Sequence, residues 1–185
     1  GISMKVKNGG RVLAKHIKPY FNIGSWDWHH ENLYTPPEKD TGMPVLVQCG
    51  NIFHFSFPIF RGYFKDAVVW YKVLVKNCIE RVYKEPLIKY QNLPSFAQVT
   101  VTSQGKRKMV HILSYLPELR GSQMQIIEEP ILLKDVFIGV KLIKREKVNK
   151  VYCVPSYQQI EFKIEENYVW FVIPEVSGYQ MVVTE

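Results

Sequence analysis

Five side chains able to meet a ligand crowd one short stretch: Trp26, Trp28, His29, His30 and Tyr34. Sugar rings have apolar C–H faces that stack on exposed indoles, and imidazoles can bond their hydroxyls. The stretch is therefore a candidate substrate-binding wall for a carbohydrate. Adjacent histidines also raise a metal site, but cysteine or carboxylate partners at ligand spacing are not evident. A third reading is a loop that packs on its own domain or on a neighbour. Asp27 and Glu31 stand beside these groups and could orient a histidine.

The carboxylates are the next candidates: Glu128-Glu129, Glu165-Glu166 and Glu175. Glycosidases need two carboxyl groups about 5–5.5 Å apart for retention, or about 6.5–9.5 Å for inversion. Neighbouring residues on a strand face opposite ways, so adjacent glutamates do not converge on one bond. They read as structural or solvated. Cys49, Cys78 and Cys153 are odd in number and lack metal-ligand spacing. They read as free thiols, with Cys78 and Cys153 in apolar patterns. No catalytic residue, metal site or cofactor is assigned. Glu118 and Arg120 follow Pro117, either as an exposed ion pair or as a bridge that fixes an interdomain angle. The aromatic run 60–64 (FRGYF) either packs on a sheet or touches substrate.

These residues need elements to hold them, and 185 residues suit one ordinary domain or two small ones. Hydrophobic residues at 46% are enough for a core and argue against a disordered chain. No apolar run reaches the about 18 residues of a membrane helix, and no apolar signal core follows the first residues. The formal charge is +7. Its densest groups, Lys106-Arg107-Lys108 and Lys144-Arg145 with Lys147, fall at expected hairpin turns. They read as solvated turns, so no nucleic-acid partner and no membrane partner is expected.

Residues 4–10 read as the end of a helix stopped at Gly9-Gly10. Residues 11–14 then read as a short strand, together an αβ unit of a parallel sheet. Residues 20–44 read as a long functional loop. Residues 45–48 and 51–57 read as a hairpin around a tight Cys49-Gly50 turn. Asp66 to Val82 carries an apolar stripe at helical spacing, ended by Glu85-Pro86. From Leu87 the pattern changes to short alternating runs punctuated by turn residues. Gln98-Val-Thr-Val-Thr102 shows the alternation most clearly. Such spacing predicts an antiparallel β-sandwich.

A resemblance covers nearly the whole chain. HILSYLPELRG (111–121) followed by IIEEP (126–130) resembles a junction in the C-terminal part of β-galactosidase-like glycoside hydrolases. There a trimerisation domain gives way to a terminal β-domain. VKNGGRVLAKHIKPYF (6–21) and VQCGNIFHFSFPIF (47–60) resemble parts of that trimerisation domain. YVWFVIPEVSGYQMVVTE (168–185) resembles the terminal strand pair. The family's Thr-Pro-Pro run stands here as Thr35-Pro36-Pro37 and implies a fixed loop conformation. The resemblance further implies a class I glutamine amidotransferase-like, flavodoxin-like fold for the first domain. Active members of that fold carry Phe-His-Pro-Glu after the late hairpin. Here Phe57 replaces the histidine and Ile59 the glutamate, so no general base remains to deprotonate a thiol.

The expected architecture is α+β, with residues 1–88 the C-terminal half of a flavodoxin-like α/β domain and 89–185 an antiparallel β-sandwich. The expected function is a non-catalytic accessory and oligomerisation region of a glycoside hydrolase whose catalytic barrel lies elsewhere. The alternative is a free-standing carbohydrate-binding module. A homo-oligomer, dimer or trimer, is expected, with carbohydrate as a second partner. The parent's address is left open between bacterial cytoplasm and periplasm.

Overall fold

The computed structural model describes residues 1–7, 9–21, 36–143 and 146–185. Contacts divide the chain into two compact units, Gly1–Lys84 and Glu85–Glu185.

The first unit holds three strands in the order β1-β2-β3: β1 (Arg11–Pro19), β2 (Pro37–Cys49) and β3 (Ile52–Phe55). Both pairings are antiparallel. This overturns the flavodoxin-like α/β expectation for residues 1–88, since every strand pair among the described residues is antiparallel. The described residues between 4 and 10 form no helix. Gly9 takes the positive φ of +89° that a helix stop at Gly10 was expected to need, and it does so in a turn closed by Gly10 N–H donating to Lys7 O at 3.1 Å.

The pairing escapes the eye because the arm 37–44 is polar and carries no alternation. The backbone ladder pairs it with β1, and cross-strand charges add to it: Lys18–Glu38 at 3.0 Å and Lys15–Asp40 at 3.6 Å. A bulge sits where Lys15 faces Pro44 but Ile17 faces Asp40. Asp40 Oδ1 accepts the Gly42 N–H at 2.7 Å, and Thr41 Oγ1 donates to His16 O at 2.9 Å, which stitches the extra residues down.

The helix expected over Asp66–Val82 is α2 (Val69–Val82), and a further helix, α1 (Ile59–Asp66), precedes it over the aromatic run. Ala67 breaks them in the left-handed conformation at φ 50°, its N–H closing on Tyr63 O. Tyr71 lies across Gly62, where an added Cβ would stand 2.8 Å from the ring. The buried side chains here are few: Leu46, Ser56, Ile59 and Cys78. Much of the α2 apolar stripe is uncovered, with Val69, Ile79 and Val82 exposed.

The second unit is the β-sandwich that the alternation predicts. Its strands are β4 (Ile88–Gln91), β5 (Gln98–Gln104), β6 (Arg107–Leu113), β7 (Glu118–Leu119), β8 (Gln125–Ile126), β9 (Leu132–Lys141), β10 (Val151–Val154), β11 (Gln159–Ile160), β12 (Phe162–Glu165), β13 (Tyr168–Ser177) and β14 (Tyr179–Thr184). One sheet runs β11-β10-β14-β6-β5 and the other β12-β13-β9-β4, with β7-β8 a small separate ladder. Val110, Ile112 and Val182 of the first sheet pack with Val136, Ile138, Phe171 and Ile173 of the second, almost wholly buried. Alternate residues on each strand supply this core. The chain changes sheets between β13 and β14 at Gly178, whose φ is +73°.

Candidate functional site

Alternation on β13 sends Val169, Phe171 and Ile173 into the core, so Trp170 and Val172 face the other way. On β9 the same rule sends Phe137 and Gly139 outward. The ladder sets Lys163, Trp170, Gly139 and Lys89 in one row across four strands, and Val172, Phe137 and Gln91 in the next. An open groove of about 710 Å³ lies on this face.

Its floor depends on a glycine. A Cβ on Gly139 would stand 2.8–2.9 Å from Cζ3, Cδ2 and Cε2 of Trp170. Three ring atoms at nearly one distance mean that Gly139 meets the face of the indole, not its edge. The ring lies down on the sheet, and its other face lines the groove beside the exposed Phe137. Gln91, Gln158 and Gln159 stand at the rim with Glu161, Lys163 and Glu165. Lys163 pairs with Glu165 at 3.1 Å. The backbone of Gln158 is held by its carbonyl accepting the Cys153 N–H at 2.8 Å. An apolar floor with polar groups at its edge is the ordinary build of a small-ligand site.

No protein-family model matches the chain, and no curated protein matches it. Solved structures do. An α-L-fucosidase isoenzyme 2 from Paenibacillus thiaminolyticus superposes with a TM-score of 0.81 at 27% identity, over 95% of this chain. The chain is related to part of a glycoside hydrolase. It covers 27% of that fucosidase. A cycloisomaltooligosaccharide glucanotransferase from Paenibacillus sp. aligns over 57% of this chain and 19% of its own, at a TM-score of 0.35 and 16% identity. No argument rests on that second match.

The resemblance to a glycoside hydrolase thus holds at the level of a carbohydrate-related domain. The stretch with Trp26, Trp28, His29, His30 and Tyr34 lies outside the described residues. The candidate carboxylates are at the surface, and four of the five have a cation beside them. Glu128 reaches Arg120 at 3.0 Å, Glu165 reaches Lys163 at 3.1 Å, Glu166 reaches Lys89 at 3.7 Å and Glu175 reaches Lys134 at 3.9 Å. Glu118 also reaches Arg120 at 3.0 Å. Among the described residues no group of three His, Cys, Asp or Glu side chains could hold a metal ion. Cys49 is exposed, while Cys78 and Cys153 are buried. Burial raises the Cys78 thiol pKa, opposed by the charge of Arg81, and burial alone raises that of Cys153. Raised thiols are poor nucleophiles at neutral pH. Phe60 and Phe64, expected on a sheet or at substrate, stand 72% and 92% exposed on α1.

The groove is the site that a scan for reactive residues misses. Its signal is the run Tyr168–Ile173, apolar at every position. A strand with one wet face alternates, so a continuous run means that the outward face also has apolar business.

Proposed function

We propose that the chain is a non-catalytic accessory and oligomerisation region of a sugar-cleaving enzyme of the β-galactosidase-like kind. The observation that supports the glycoside-hydrolase part of this reading is the match of 95% of the chain to a 27% portion of an α-L-fucosidase, and the β-galactosidase-like kind rests on the junction motif of residues 111–130. A part of such an enzyme can bind, brace or assemble without cleaving. The ion-paired carboxylates support this, since an acid and a nucleophile must converge on one glycosidic bond.

Assembly has a candidate surface in the first unit. Phe60, Phe64 and Trp70 are 72%, 92% and 73% exposed. Phe60 and Phe64 stand one turn apart on α1, and large exposed apolar side chains at helical spacing are what an interaction surface offers. The proposed interface is this α1–α2 surface, and the proposed state is a dimer or trimer.

Two measurements test the reading. The chain should release no aryl alcohol from aryl-galactosides or aryl-fucosides. Turnover that disappears in Glu128→Gln or Glu175→Gln would overturn the non-catalytic assignment. In sedimentation at micromolar concentration the chain should run as a dimer or trimer. The double variant Phe64→Ser with Trp70→Ser should run as a monomer with its melting temperature kept, because neither side chain is buried within the chain. A monodisperse monomer in the unaltered chain would sink the assembly role and favour the free-standing binding module.

A further inference from the structure

We infer that the outer face of the β12-β13-β9-β4 sheet is a binding groove for a short neutral oligosaccharide, with the outward face of the Trp170 indole as its platform. This goes beyond the assembly role and shares with it only the carbohydrate setting.

The platform comes first. A pyranose ring presents a patch of C–H groups on one face and hydroxyls around its edge. A flat indole buries the C–H patch without taking the hydroxyls out of reach of polar partners. Trp170 is held flat by Gly139, the one residue type that leaves room beneath it. Phe137, in the next cross-strand row, extends the apolar floor. One ring therefore sits on Trp170 and the next runs toward Phe137.

The rim supplies the edge contacts. Sugar hydroxyls both donate and accept, and so does a carboxamide. Gln91, Gln158 and Gln159 bring three carboxamides to this one groove. Among the described residues no hydrogen bond ties their side-chain amides, the Ser156 contact of Gln158 being to its backbone N–H, so they are free to meet a ligand. The charged rim has both signs, Glu161 and Glu165 with Lys163, and Lys163 is already paired with Glu165. An acidic glycan finds no cluster of cations there. A neutral one meets no unpaired charge repulsion. The volume, about 710 Å³, suits two or three sugar units more than a single one.

Saturation-transfer NMR on the full 185-residue chain tests this, with lactose, 2′-fucosyllactose and cellotetraose as neutral probes and trigalacturonic acid as the acidic one. At least one neutral probe should show transfer to its ring C–H protons, with a Kd of about 1 mM or tighter. The acidic probe should show less. Trp170→Ala should weaken binding about tenfold or more. Gly139→Ala keeps the indole but lifts it off the sheet, and should weaken binding as well. Phe137→Gln provides a third variant whose side chain is not in the core. Each is checked for a retained β-rich circular dichroism spectrum, and any one that folds suffices. Leu119→Ser, exposed on the separate β7-β8 ladder, should leave the transfer unchanged.

A folded chain that gives no transfer to any neutral probe would overturn the inference, and the face would then belong to a protein neighbour. So would transfer that survives the folded groove variants, or that is lost with Leu119→Ser instead. Neither result bears on the assembly role, which stands or falls on turnover and sedimentation.

Discussion

Gly178→Val should destabilise the β-sandwich of residues 85–185 by about 3 kcal/mol. Gly178 turns the chain from one sheet to the other at φ +73°, where a β-branched side chain is strained. That conformational part costs roughly 1–2 kcal/mol. The second part is steric. A Cβ at this position would run into the ring of Tyr115. The residue before that tyrosine is tied to the same corner, since Ser114 N–H donates to Gly178 O at 2.7 Å. The backbone on both sides is held, while the ring tip of Tyr115 is 38% exposed and gives way at the loss of its packing, so overpacking adds about 1–2 kcal/mol. Gly105→Val isolates the first part. Gly105 has φ +59° but open space around its missing Cβ, so only the conformational strain of about 1–2 kcal/mol applies. Urea unfolding read through amide exchange in β13 and β14 should show a larger midpoint shift for Gly178→Val. Equal shifts would mean that Tyr115 moves aside at no cost.

The contrast between these glycines also shows what the residues alone could reveal. The sandwich was legible because its strands have one buried face. Val99 and Val101 turn inward between polar neighbours, and that period of two survives any error in strand ends. The first unit offered no such contrast. Where β1 meets the arm 37–44 the partners are lysines, an aspartate, prolines and the exposed Ile17, with no alternation, and main-chain hydrogen bonds leave no mark in hydropathy. A Gly-Gly pair before an apolar run then passes for a helix stop feeding a parallel strand. The split between α1 and α2 was hidden for a related reason. Ala67 is an ordinary helix former, and it takes the left-handed conformation for its place in the chain, not for its type. The groove was hidden because its floor is not reactive, and the candidate carboxylate at its edge, Glu165, is paired with Lys163. Trp170, Phe137 and the three glutamines come from four separate segments; strand register aligns Trp170, Phe137 and Gln91, while Gln158 and Gln159 come from the β11 segment of the other sheet.

Lys108 carries the second large effect, and its partner is the sensitive one. In the sequence it belongs to a basic run that reads as a solvated turn. In the fold its side chain is 9% exposed on β6, its Nζ donating to Lys141 O at 2.9 Å and to Glu146 Oε2. Glu146 is 36% exposed and also accepts the Ile143 N–H at 2.8 Å. A buried charge without its partner is more costly than the loss of the pair as a whole. Glu146→Ala strands the ammonium and should cost about 2 kcal/mol, less than a fully buried pair because water reaches the carboxylate. Lys108→Met removes the charge, keeps the apolar stem and leaves Glu146 both water and the Ile143 N–H. It should cost less than Glu146→Ala, and the reverse order would contradict the burial difference between the partners. Acid adds an independent check. Burial pushes the Glu146 pKa up, but the hydrogen bond from Lys108, the Ile143 N–H and the charge of Lys108 outweigh it, and the net shift is downward from 4.5. A carboxyl group whose folded pKa is depressed contributes stability above its unfolded value, and that contribution is lost as pH falls through the folded one. The gap in melting temperature between the unaltered chain and Glu146→Gln should therefore be full at neutral pH and begin to narrow below about pH 4.5. It should close once Glu146 is protonated, because the acid and the amide then present the same neutral partner to Lys108. A gap that stays constant from neutral pH down to pH 3 would show that the carboxylate charge is not what holds the ammonium in place.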